Sequence, residues 1–496
     1  MGKKRIAVIG SGFAGLSSAT FLAHAGLDVT VFEKNAIPGG RARQLTEAGF
    51  TFDMGPSWYW MPDVFERYFG YFGRRPSDYY TLTRLDPSYR VFFGADDLMD
   101  VPASVDKLAD VFESIEPGSG VQLRQFLDDA KFKYELGIND LVYKPGLSLL
   151  EFADWRVLSG VLRLDVFQSM TKHLQKYFKH PRLIQLLEFP VLFLGATAQK
   201  TPALYSLMNY ADLSLGTWYP DGGMYAVVRG MEKLAAEQHV TFRYNSNIEK
   251  ILVKGRQTIG LVVNGEEHSF DYIVAGADYH HVDQHLLPEG YRNYTPGYWD
   301  RRTLAPSSLL FYLGLNKRVS GLLHHTLFFD EDFTRHAHEI YEQPQWPTKP
   351  QFYVSCASVT DPKAAPAGGE VLVILIPVSP GLEDTEETRE KYYGVVMDRL
   401  EKITGQSLRS SVVLRKTYAH KDFIQDYNAF KGNAYGLANT LMQTANLKPS
   451  ILNKKLDNLF YTGQLTVPGP GVPPALISGQ VVANQLLARE GKALKS

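Results

Sequence analysis

The sequence contains 496 residues, of which 45% are hydrophobic, and its 52 lysines and arginines are balanced by 53 aspartates and glutamates. This length allows two or three domains with large cores, and the formal net charge of −1 provides no basic field that would attract nucleic acid. The single cysteine, Cys356, excludes an internal disulfide and a cysteine-clustered metal site, and it suits a reducing compartment. We therefore expect no metal cofactor and no nucleic-acid partner.

A strand–turn–helix pattern begins the chain. Ile6–Ile9 is a short apolar run typical of a buried strand, and an alanine-rich helix is predicted to follow it to about Ala25. The turn between them reads Gly-Ser-Gly-Phe-Ala-Gly. Asp28–Phe32 predicts a second strand, and Glu33 stands at its end. This is the order of elements in a nucleotide-binding βαβ unit.

The spacing of the glycines in this turn has a physical reason. Gly10 permits a tight turn, Gly12 lets the backbone approach a pyrophosphate, and Gly15 lets the helix pack closely on the strand. The helix N-terminus offers free N–H groups and a positive dipole end to the phosphates. Glu33 lies where a carboxylate accepts hydrogen bonds from an adenosine ribose. The pattern predicts a dinucleotide site without identifying the dinucleotide.

After this unit the chain makes a first excursion. An aromatic run, Ser57–Met61, is expected beside the bound nucleotide. Tyr89–Phe93 and Leu98–Val101 predict a hairpin, and the periodicity of Val105–Ile115 and Val121–Leu136 predicts two helices.

The stretch from Leu147 to about Phe178 combines apolar residues with spaced basic ones, among them Arg156, Arg163 and Lys172. Two interpretations remain open for it. Amphipathic helices covering an internal core would have this pattern. A helix lying in a membrane interface, with its basic residues at the level of the lipid headgroups, would have it too. His173, in the same stretch, fits no ligand spacing with another candidate residue and is expected at the surface.

The chain then returns to the nucleotide unit. Met224–Glu237 predicts a helix, Ile248–Val253 and Thr258–Val263 predict a hairpin, and Phe270–Ala277 predicts a strand that rejoins the first sheet.

A second excursion runs from about Gly290 to Asp457. Leu309–Leu315, Gln351–Ala357 and Val371–Val378 have strand character, and Thr385–Ile403 predicts a helix. The first of these strands is apolar on both faces. Either helices on both sides or an apolar ligand on one side would explain that composition.

The last motif combines a strand, a proline- and glycine-rich turn and a helix. Asn458–Gln464 predicts the strand and its turn, and Ala475–Arg489 predicts the helix. Prolines suit the first turn of a helix because their missing N–H costs nothing there. Gly469 and Gly471 let the backbone lie against a flat ring, at which the helix dipole directs its positive end.

Taken together, these motifs resemble the FAD-dependent superfamily of amine oxidases, protoporphyrinogen oxidase and carotenoid desaturases. The resemblance rests on five stretches: the glycine motif, GGRAR at residues 39–43, DMGPSWYWMP at 53–62, WYPDGGM at 218–224 and NLFYTGQLTVPGPGVPPALISGQVVANQ at 458–485. The last of these is similar to the C-terminal signature of bacterial and fungal phytoene desaturases. Many relatives have a small Gly-Thr-His-type turn where this chain has Gln464–Val467.

The resemblance implies FAD as the only organic cofactor, held without a covalent bond. The predicted FAD-binding residues, from the glycine motif and from this resemblance, are Gly10, Gly12, Phe13, Ala14, Gly15, Glu33, Lys34, Gly40, Arg41, Gly55, Pro56, Ser57, Ile248, Gly463, Gly471 and Val472.

The resemblance also implies an activity, namely the introduction of double bonds into a C40 carotenoid precursor, with phytoene as the expected substrate. Hydride would leave an allylic C–H bond for the flavin, and a base would take the neighbouring proton. The family places acidic and basic residues near the flavin where this chain has Glu151, Asp154 and Arg156, so these three are the candidate catalytic residues. Solvated charges on an amphipathic helix would have the same pattern.

Two other classes of protein remain possible for this sequence. One is another FAD enzyme of the carotenoid pathway, such as a 3,4-desaturase, an isomerase or a ketolase. The other is a non-enzymatic lipid-binding relative of the same fold. The sequence contains one dinucleotide glycine motif, so the electrons are expected to pass to a quinone or to oxygen rather than to a bound nicotinamide.

The predicted fold class is α/β, with a discontinuous Rossmann-like FAD-binding domain, a mixed-sheet substrate domain and a helical subdomain that faces a membrane. We assign residues 1–75, 216–290 and 455–496 to the first, 76–100 and 291–454 to the second, and 101–215 to the third. No signal peptide or membrane span is predicted, because glycine, serine or proline interrupts each long uncharged stretch. The expected location is cytoplasmic, peripheral and monotopic on the inner face of the cell membrane.

Overall fold

The computed structural model describes residues 2–148, 151 and 168–494 of the chain. Its strands are β1 (Arg5–Ile9), β2 (Asp28–Phe32), β3 (Gln44–Glu47), β4 (Phe50–Asp53), β5 (Leu82–Arg84), β6 (Tyr89–Gly94), β7 (Asp97–Val101), β8 (Trp218–Pro220), β9 (Thr241–Arg243), β10 (Ile248–Lys254), β11 (Gln257–Val263), β12 (Glu266–Ser269), β13 (Tyr272–Ala275), β14 (Ser307–Leu315), β15 (His325–Phe328), β16 (Phe352–Ser355), β17 (Glu370–Val378), β18 (Val412–Tyr418) and β19 (Leu459–Tyr461). Its α-helices of five or more residues are α1 (Phe13–His24), α2 (Pro62–Tyr71), α3 (Val105–Ile115), α4 (Ser119–Leu136), α5 (Met170–Leu174), α6 (Pro181–Glu188), α7 (Met224–Glu237), α8 (Pro296–Asp300), α9 (Phe333–Tyr341), α10 (Glu386–Thr404), α11 (His420–Tyr427) and α12 (Val472–Arg489).

The first sheet has five parallel strands in the order β19-β13-β1-β2-β9. Its central strands read as nearly continuous apolar runs because both faces are covered, one by α1, α7 and α12 and the other mainly by the β10–β11 hairpin. All five strands come from the three segments assigned above to the FAD-binding domain, although the boundaries of that domain stay a prediction. The sheet is therefore assembled from the beginning, the middle and the end of the chain.

Helices α1 and α12 pack against each other on one face of this sheet, through a glycine. A Cβ on Gly479 of α12 would lie 2.4 Å from the carbonyl oxygen of Ala14 and 2.6 Å from the Cβ of Ser17. The Ser17 hydroxyl donates a hydrogen bond to the Leu476 carbonyl, at 2.7 Å, across the same contact. Only glycine allows so close an approach of the two backbones. This contact fixes where the N-terminus of α1 lies.

The second sheet has seven strands in the order β18-β14-β17-β16-β15-β6-β7. All its neighbours are antiparallel except β15 and β6. All nine residues of β14 are buried, as its two-faced apolar composition predicts. Residues 309, 311, 313 and 315 pack under α10, whereas Leu310 on the other face lines a cavity. A helix therefore covers one face of this strand, and an apolar ligand on the other face stays a prediction.

Most predicted elements occur close to their predicted bounds. α3 and α7 have the predicted ends, α4 begins two residues early, and α12 begins at Val472 with both prolines in its first turn. The helices expected between Leu147 and Phe178 fall mainly outside the described residues, apart from α5. No helix in the described ranges has the length and apolar character needed to cross a bilayer.

One interpretation of the sequence is wrong. Its spacing suggested that His173 is a surface residue, but its side chain is only 2% exposed. The Nε2 atom of His173 lies 3.2 Å from a carboxylate oxygen of Asp129, which also binds the buried ammonium of Lys133 at 2.7 Å. These partners lie on α4, so spacing along α5 could not reveal them.

Candidate functional site

A cavity of about 290 Å³ lies at the carboxyl ends of β1, β2, β13 and β19, and the seven-stranded sheet forms its opposite side. The turn before α1, the residue after β2, the residues after β13 and those after β19 all line it. In open parallel sheets, ligands bind outside the carboxyl ends of the strands, at the point where the connections from two neighbouring strands go to opposite faces of the sheet. The fold therefore places this cavity where a nucleotide is expected.

The glycine turn has the geometry that its spacing predicts. Gly10 has a φ of +92°, and a Cβ on Gly15 would lie 2.0 Å from the Gly10 carbonyl oxygen. Gly15 thus holds the helix against the turn and lies behind the cavity rather than in its wall. A Cβ on Gly12, in contrast, would meet nothing within 4 Å. This free space, next to the first N–H groups of α1, has the shape and polarity that a phosphate requires.

Glu33 is held rigidly at the end of β2. One carboxylate oxygen accepts hydrogen bonds from the backbone N–H of Ser11 at 2.9 Å and from its hydroxyl at 2.7 Å. The other accepts from the backbone N–H of Asn35 at 2.9 Å and from its side chain at 3.0 Å. The side chain is 6% exposed and lines the cavity. A fixed carboxylate of this kind can still accept a ribose hydroxyl with its remaining lone pairs.

Arg41 reaches the cavity from the Gly-Gly-Arg turn. Its guanidinium donates to the carbonyl of Asn433 at 3.2 Å and lies 5.2 Å from the ring centroid of Tyr427. Burial lowers the pKa of Arg41, and the carboxylate of Asp278 opposes that shift. One atom of the Gln464 side-chain amide is 3.0 Å from the guanidinium, so the residue that departs from the relatives contacts the predicted site.

The structure brings together fourteen of the sixteen predicted FAD-binding residues around this cavity; their role as ligands stays a prediction. Gly15 and Ser57 do not line it, although each adjoins residues that do. The lining residues are Gly10, Gly12, Phe13, Ala14, Glu33, Lys34, Gly40, Arg41, Gly55, Pro56, Ile248, Gly463, Gly471 and Val472.

Sequence reasoning missed one side of the cavity. Phe423, Asp426, Tyr427, Asn428 and Tyr435 line it from α11 and the loop after it. They carry no recognisable motif. The available signal was indirect: Arg43, in the GGRAR run, forms an ion pair with Asp426 and lies 5.1 Å from the Tyr427 ring centroid.

Of the three candidate catalytic residues, the structure describes only Glu151, which does not line this cavity. The carboxylate of Glu151 accepts hydrogen bonds from the backbone N–H groups of Gly146, Leu147 and Ser148, at 2.9 to 3.0 Å. Asp154 and Arg156 lie outside the described residues. The catalytic role of all three therefore stays a prediction.

A second, smaller cavity with an apolar lining opens between α9 and the seven-stranded sheet. Leu375 lines both cavities. In the sheet register it faces Leu310 of β14 and Tyr353 of β16, and Tyr353 faces Leu327 of β15. Directly opposed side chains on one sheet face lie about 5 Å apart. This row, Leu310–Leu375–Tyr353–Leu327, therefore forms a continuous floor from one cavity to the other.

A buried polar network supports the aromatic residues near the second cavity. The carboxylate of Asp212 is 1% exposed and accepts hydrogen bonds from the hydroxyl of Tyr89 at 2.8 Å and that of Thr217 at 3.2 Å. Thr217 in turn accepts from the indole N–H of Trp60 at 2.8 Å. Burial raises the pKa of Asp212 to about 7.

This raised pKa makes the stability of the protein depend on pH. Because Asp212 binds its proton more tightly in the folded state, its contribution to stability is fully present below the unfolded value of 3.8 and is lost as the pH rises to about 7. We expect Asp212→Asn to remove this pH-dependent loss of stability, because an amide does not titrate. In urea titrations, the free energy of unfolding of the variant should rise relative to the wild type between pH 4 and pH 7, by on the order of 3 kcal/mol.

Asp110→Asn is the control for this experiment, because Asp110 is exposed. It should follow the wild type at every pH. A constant difference between Asp212→Asn and the wild type across this range would contradict a carboxyl group whose pKa is raised in the folded protein.

The residues around the first cavity fit the dinucleotide that the sequence predicts. The Nε atom of Arg41 is buried and has no hydrogen-bond partner among the described residues. The space over Gly12 is free, and the N-termini of two long helices, α1 and α12, line the same cavity. Two positive helix ends and an unpaired guanidinium nitrogen suit a dinucleotide, whose pyrophosphate would face one helix end and whose electron-accepting ring would face the other.

Comparisons with known proteins agree with this geometry. The family model for flavin containing amine oxidoreductase matches residues 13–487. The chain is 42% identical to the carotenoid 3,4-desaturase of Haloarcula japonica, over 97% of this chain and 98% of that protein. It is 33% identical to the zeta-carotene-forming phytoene desaturase of Myxococcus xanthus, over 98% of this chain and 94% of that protein. An oxidoreductase from Methanosarcina mazei has a similar fold, with a TM-score of 0.65 at 16% identity, covering 96% of this chain and 99% of that one.

Proposed function

The chain belongs to the family of flavin-containing amine oxidoreductases, and we propose that its activity is the desaturation of an acyclic carotenoid. It is an FAD-dependent oxidoreductase with the α/β fold of that family. The observation that carries the proposal is the apolar floor, Leu310–Leu375–Tyr353–Leu327, which joins the dinucleotide cavity to the second cavity. A long hydrocarbon lying on this floor would reach both.

The chemistry of the second cavity favours a hydrocarbon over an amine. Its lining is aromatic and aliphatic, with Phe189, Phe329 and Phe333 among its residues. The one ionisable imidazole in it, His336, has both ring nitrogens bonded, to the carbonyl of Pro377 at 2.9 Å and to the N–H of Gln351 at 3.1 Å. Among the residues that line it, none offers the carboxylate that a protonated amine would need.

FAD, when bound, accepts a hydride from a C–H bond of the substrate. The residues of this chain supply position and a dry environment. Gly12 and Arg41 hold the dinucleotide, and the N-terminus of α12 directs a positive dipole end into the cavity. The apolar floor holds the polyene in register with the cofactor and excludes water. The cation left on the substrate needs a proton acceptor.

Two substrates are candidates. Phytoene is the one that the sequence motifs favour. A more unsaturated carotenoid, desaturated at the 3,4 position, is supported by the higher identity to the 3,4-desaturase, 42% against 33%. A quinone or oxygen is proposed as electron acceptor in either case, because the chain has a single dinucleotide glycine motif.

Expression in two bacterial hosts, one accumulating phytoene and one accumulating lycopene, tests the proposal. Absorption spectra of extracted pigments report each new conjugated double bond as a shift to longer wavelength. Conversion in the first host supports phytoene desaturation, and conversion only in the second supports 3,4-desaturation. If purified, flavin-loaded protein leaves both pigments unchanged with a quinone and with oxygen, carotenoid desaturation is wrong.

An exposed apolar patch supports binding to a membrane surface. Leu147, Met442 and Leu447 are 42%, 75% and 44% exposed. The two segments that carry them are in contact, because a Cβ on Gly146 would be 3.3 Å from the carbonyl oxygen of Ala445. Exposed apolar side chains grouped in this way mark an interaction surface. The proposed location is therefore peripheral on the inner face of the cell membrane, from which an apolar substrate can enter.

Charge reversal at the basic positions that follow Leu147 in the sequence should weaken membrane binding. We expect the triple change to glutamate to reduce flotation with anionic liposomes and to leave the flavin content unchanged, since electrostatic attraction to headgroups adds to apolar insertion. The three positions are Arg156, Arg163 and Lys172. Wild-type protein that stays with the soluble fraction at excess liposome would contradict the proposed location.

A matched triple variant controls for net charge. Lys250, Lys254 and Lys402 are exposed and distant in sequence from the patch, so their change to glutamate should leave flotation unchanged. Met442→Ser with Leu447→Ser should weaken binding to uncharged vesicles, which separates the apolar contribution from the electrostatic one.

A further inference from the structure

A chain of three hydrogen-bonded side chains lies between the two cavities and is not explained by cofactor binding. The hydroxyl of Ser57 is 2.9 Å from the hydroxyl oxygen of Tyr353, which is 2.5 Å from Nδ1 of His325. His325 is fully buried and stacks on the indole of Trp58, with ring centroids 4.0 Å apart and an angle of 9° between the planes. Three residues far apart in sequence are thus connected in one place.

The position of this chain relates it to the reaction. Ser57 follows Pro56, which lines the dinucleotide cavity, and Tyr353 lines the apolar cavity. Tyr353 also belongs to the floor on which the polyene is proposed to lie. The Tyr353 hydroxyl is therefore the polar group of the floor that is connected to both cavities. Its second hydrogen-bond partner, besides Ser57, is the imidazole of His325.

A relay through these side chains requires a neutral His325 and a protonated Tyr353. Burial and the neighbouring His324 hold the pKa of His325 well below its usual value, so its ring is neutral at physiological pH. Burial also raises the pKa of Tyr353, so its hydroxyl keeps its proton. The relay uses the tautomer in which Nε2 of His325 carries the ring proton, so that Tyr353 donates to Nδ1 and its own oxygen is left to accept from Ser57 or from a substrate.

We propose that Tyr353 accepts the proton that the carotenoid loses and passes its own proton to His325. This inference rests on the proposed function, in which FAD takes the hydride. The C–H bond next to the resulting cation breaks, and its electron pair becomes the new double bond. The proton goes to the hydroxyl oxygen of Tyr353, whose original proton moves to Nδ1 of His325. The substrate loses two electrons as hydride and one proton, and the positive charge moves to the imidazole.

Two features offset the burial that disfavours an imidazolium at His325. The charge was already present in the cavity on the substrate cation, so no new charge is created in an apolar region. An imidazolium stacked on the face of Trp58 gains a cation–π interaction. Glu151, by comparison, has its carboxylate bonded to three backbone N–H groups. Tyr353 is thus the catalytic residue, and His325 acts through it.

Tyr353→Phe tests the proposal in the flavin-loaded protein. We expect kcat to fall about 100-fold, as for loss of a general base, with KM unchanged. Binding of a saturated C40 hydrocarbon, followed by quenching of tryptophan fluorescence, should also be unchanged. Deuterium at the carbon that loses the proton should slow the variant more than it slows the wild type, because the proton step has become rate-limiting. A fall in kcat without that isotope effect would overturn the proposal.

Two further variants keep the test decisive. His325→Gln retains a hydrogen-bond acceptor for Tyr353 but cannot take a proton; it should lose activity as Tyr353→Phe does, and wild-type activity in it would overturn the relay. Tyr392→Phe removes a buried hydroxyl that is bonded to the Pro347 carbonyl on the far side of the sheet, and it should behave as the wild type. Absence of turnover in the wild type would instead refute the proposed function, and the relay with it.

Discussion

Protein carrying Gly12→Val is expected to purify without flavin and therefore without colour. The Cβ position of Gly12 points into free space between the first turn of α1 and the cavity, so valine does not clash with the protein itself. Its methyl groups instead occupy the place of the pyrophosphate, which needs direct contact with the backbone. The flavin absorbance per protein should fall to about a tenth or less, a loss of at least ~1.4 kcal/mol in binding.

The same change at an unrelated glycine separates cofactor loss from misfolding. Gly70 is exposed on α2, and its Cβ position also meets nothing within 4 Å. Gly70→Val should keep the full flavin content. Circular dichroism of Gly12→Val should match that of the wild type stripped of cofactor, and full flavin content in Gly12→Val would refute the phosphate assignment.

Gly479→Ala is expected to have the largest effect on stability. The added methyl group would lie 2.4 Å from the Ala14 carbonyl oxygen and 2.8 Å from the Ser18 nitrogen, and both are backbone atoms. Helices α1 and α12 must therefore separate, at a cost of about 3 kcal/mol. Their separation also displaces the N-terminus of α1 from the phosphate position. We expect a lower midpoint of thermal unfolding together with weaker retention of flavin.

Gly394→Ala provides the matched control, since it makes the same substitution in a helix where nothing lies within 4 Å of the new Cβ. It should leave stability unchanged or raise it by up to ~1 kcal/mol, because alanine favours helix. If Gly479→Ala is as stable as Gly394→Ala, the close contact between α1 and α12 is not as the structure describes it.

Local patterns predicted the elements and the family, since each depends on residues that are near neighbours in sequence. The glycine turn, its flanking strand and helix, and α7 all follow from spacing and periodicity alone. The resemblance to FAD-dependent carotenoid desaturases is confirmed by the family model and by the named relatives.

The features that could not be predicted depend on long-range contacts. The cavity wall around Tyr427 reaches Arg43 across nearly the whole chain, and the burial of His173 depends on Asp129. The chain of hydroxyls and imidazole joins residues 57, 325 and 353, which come from a loop and two strands. Gly479 looked like an ordinary helical residue, because only the folded contact shows that a side chain would not fit.

The assembly of the first sheet from three distant segments has a consequence for biosynthesis. A ribosome adds about 5–20 residues per second, so α12 emerges on the order of half a minute or more after α1. During that interval α1 has no α12 to cover it, and β13 lacks its neighbour β19. The cavity gains its last wall, which includes Gly463, Gly471 and Val472, only when this late segment docks. Capture of FAD is therefore expected to be completed only after this late segment has been synthesised and has docked.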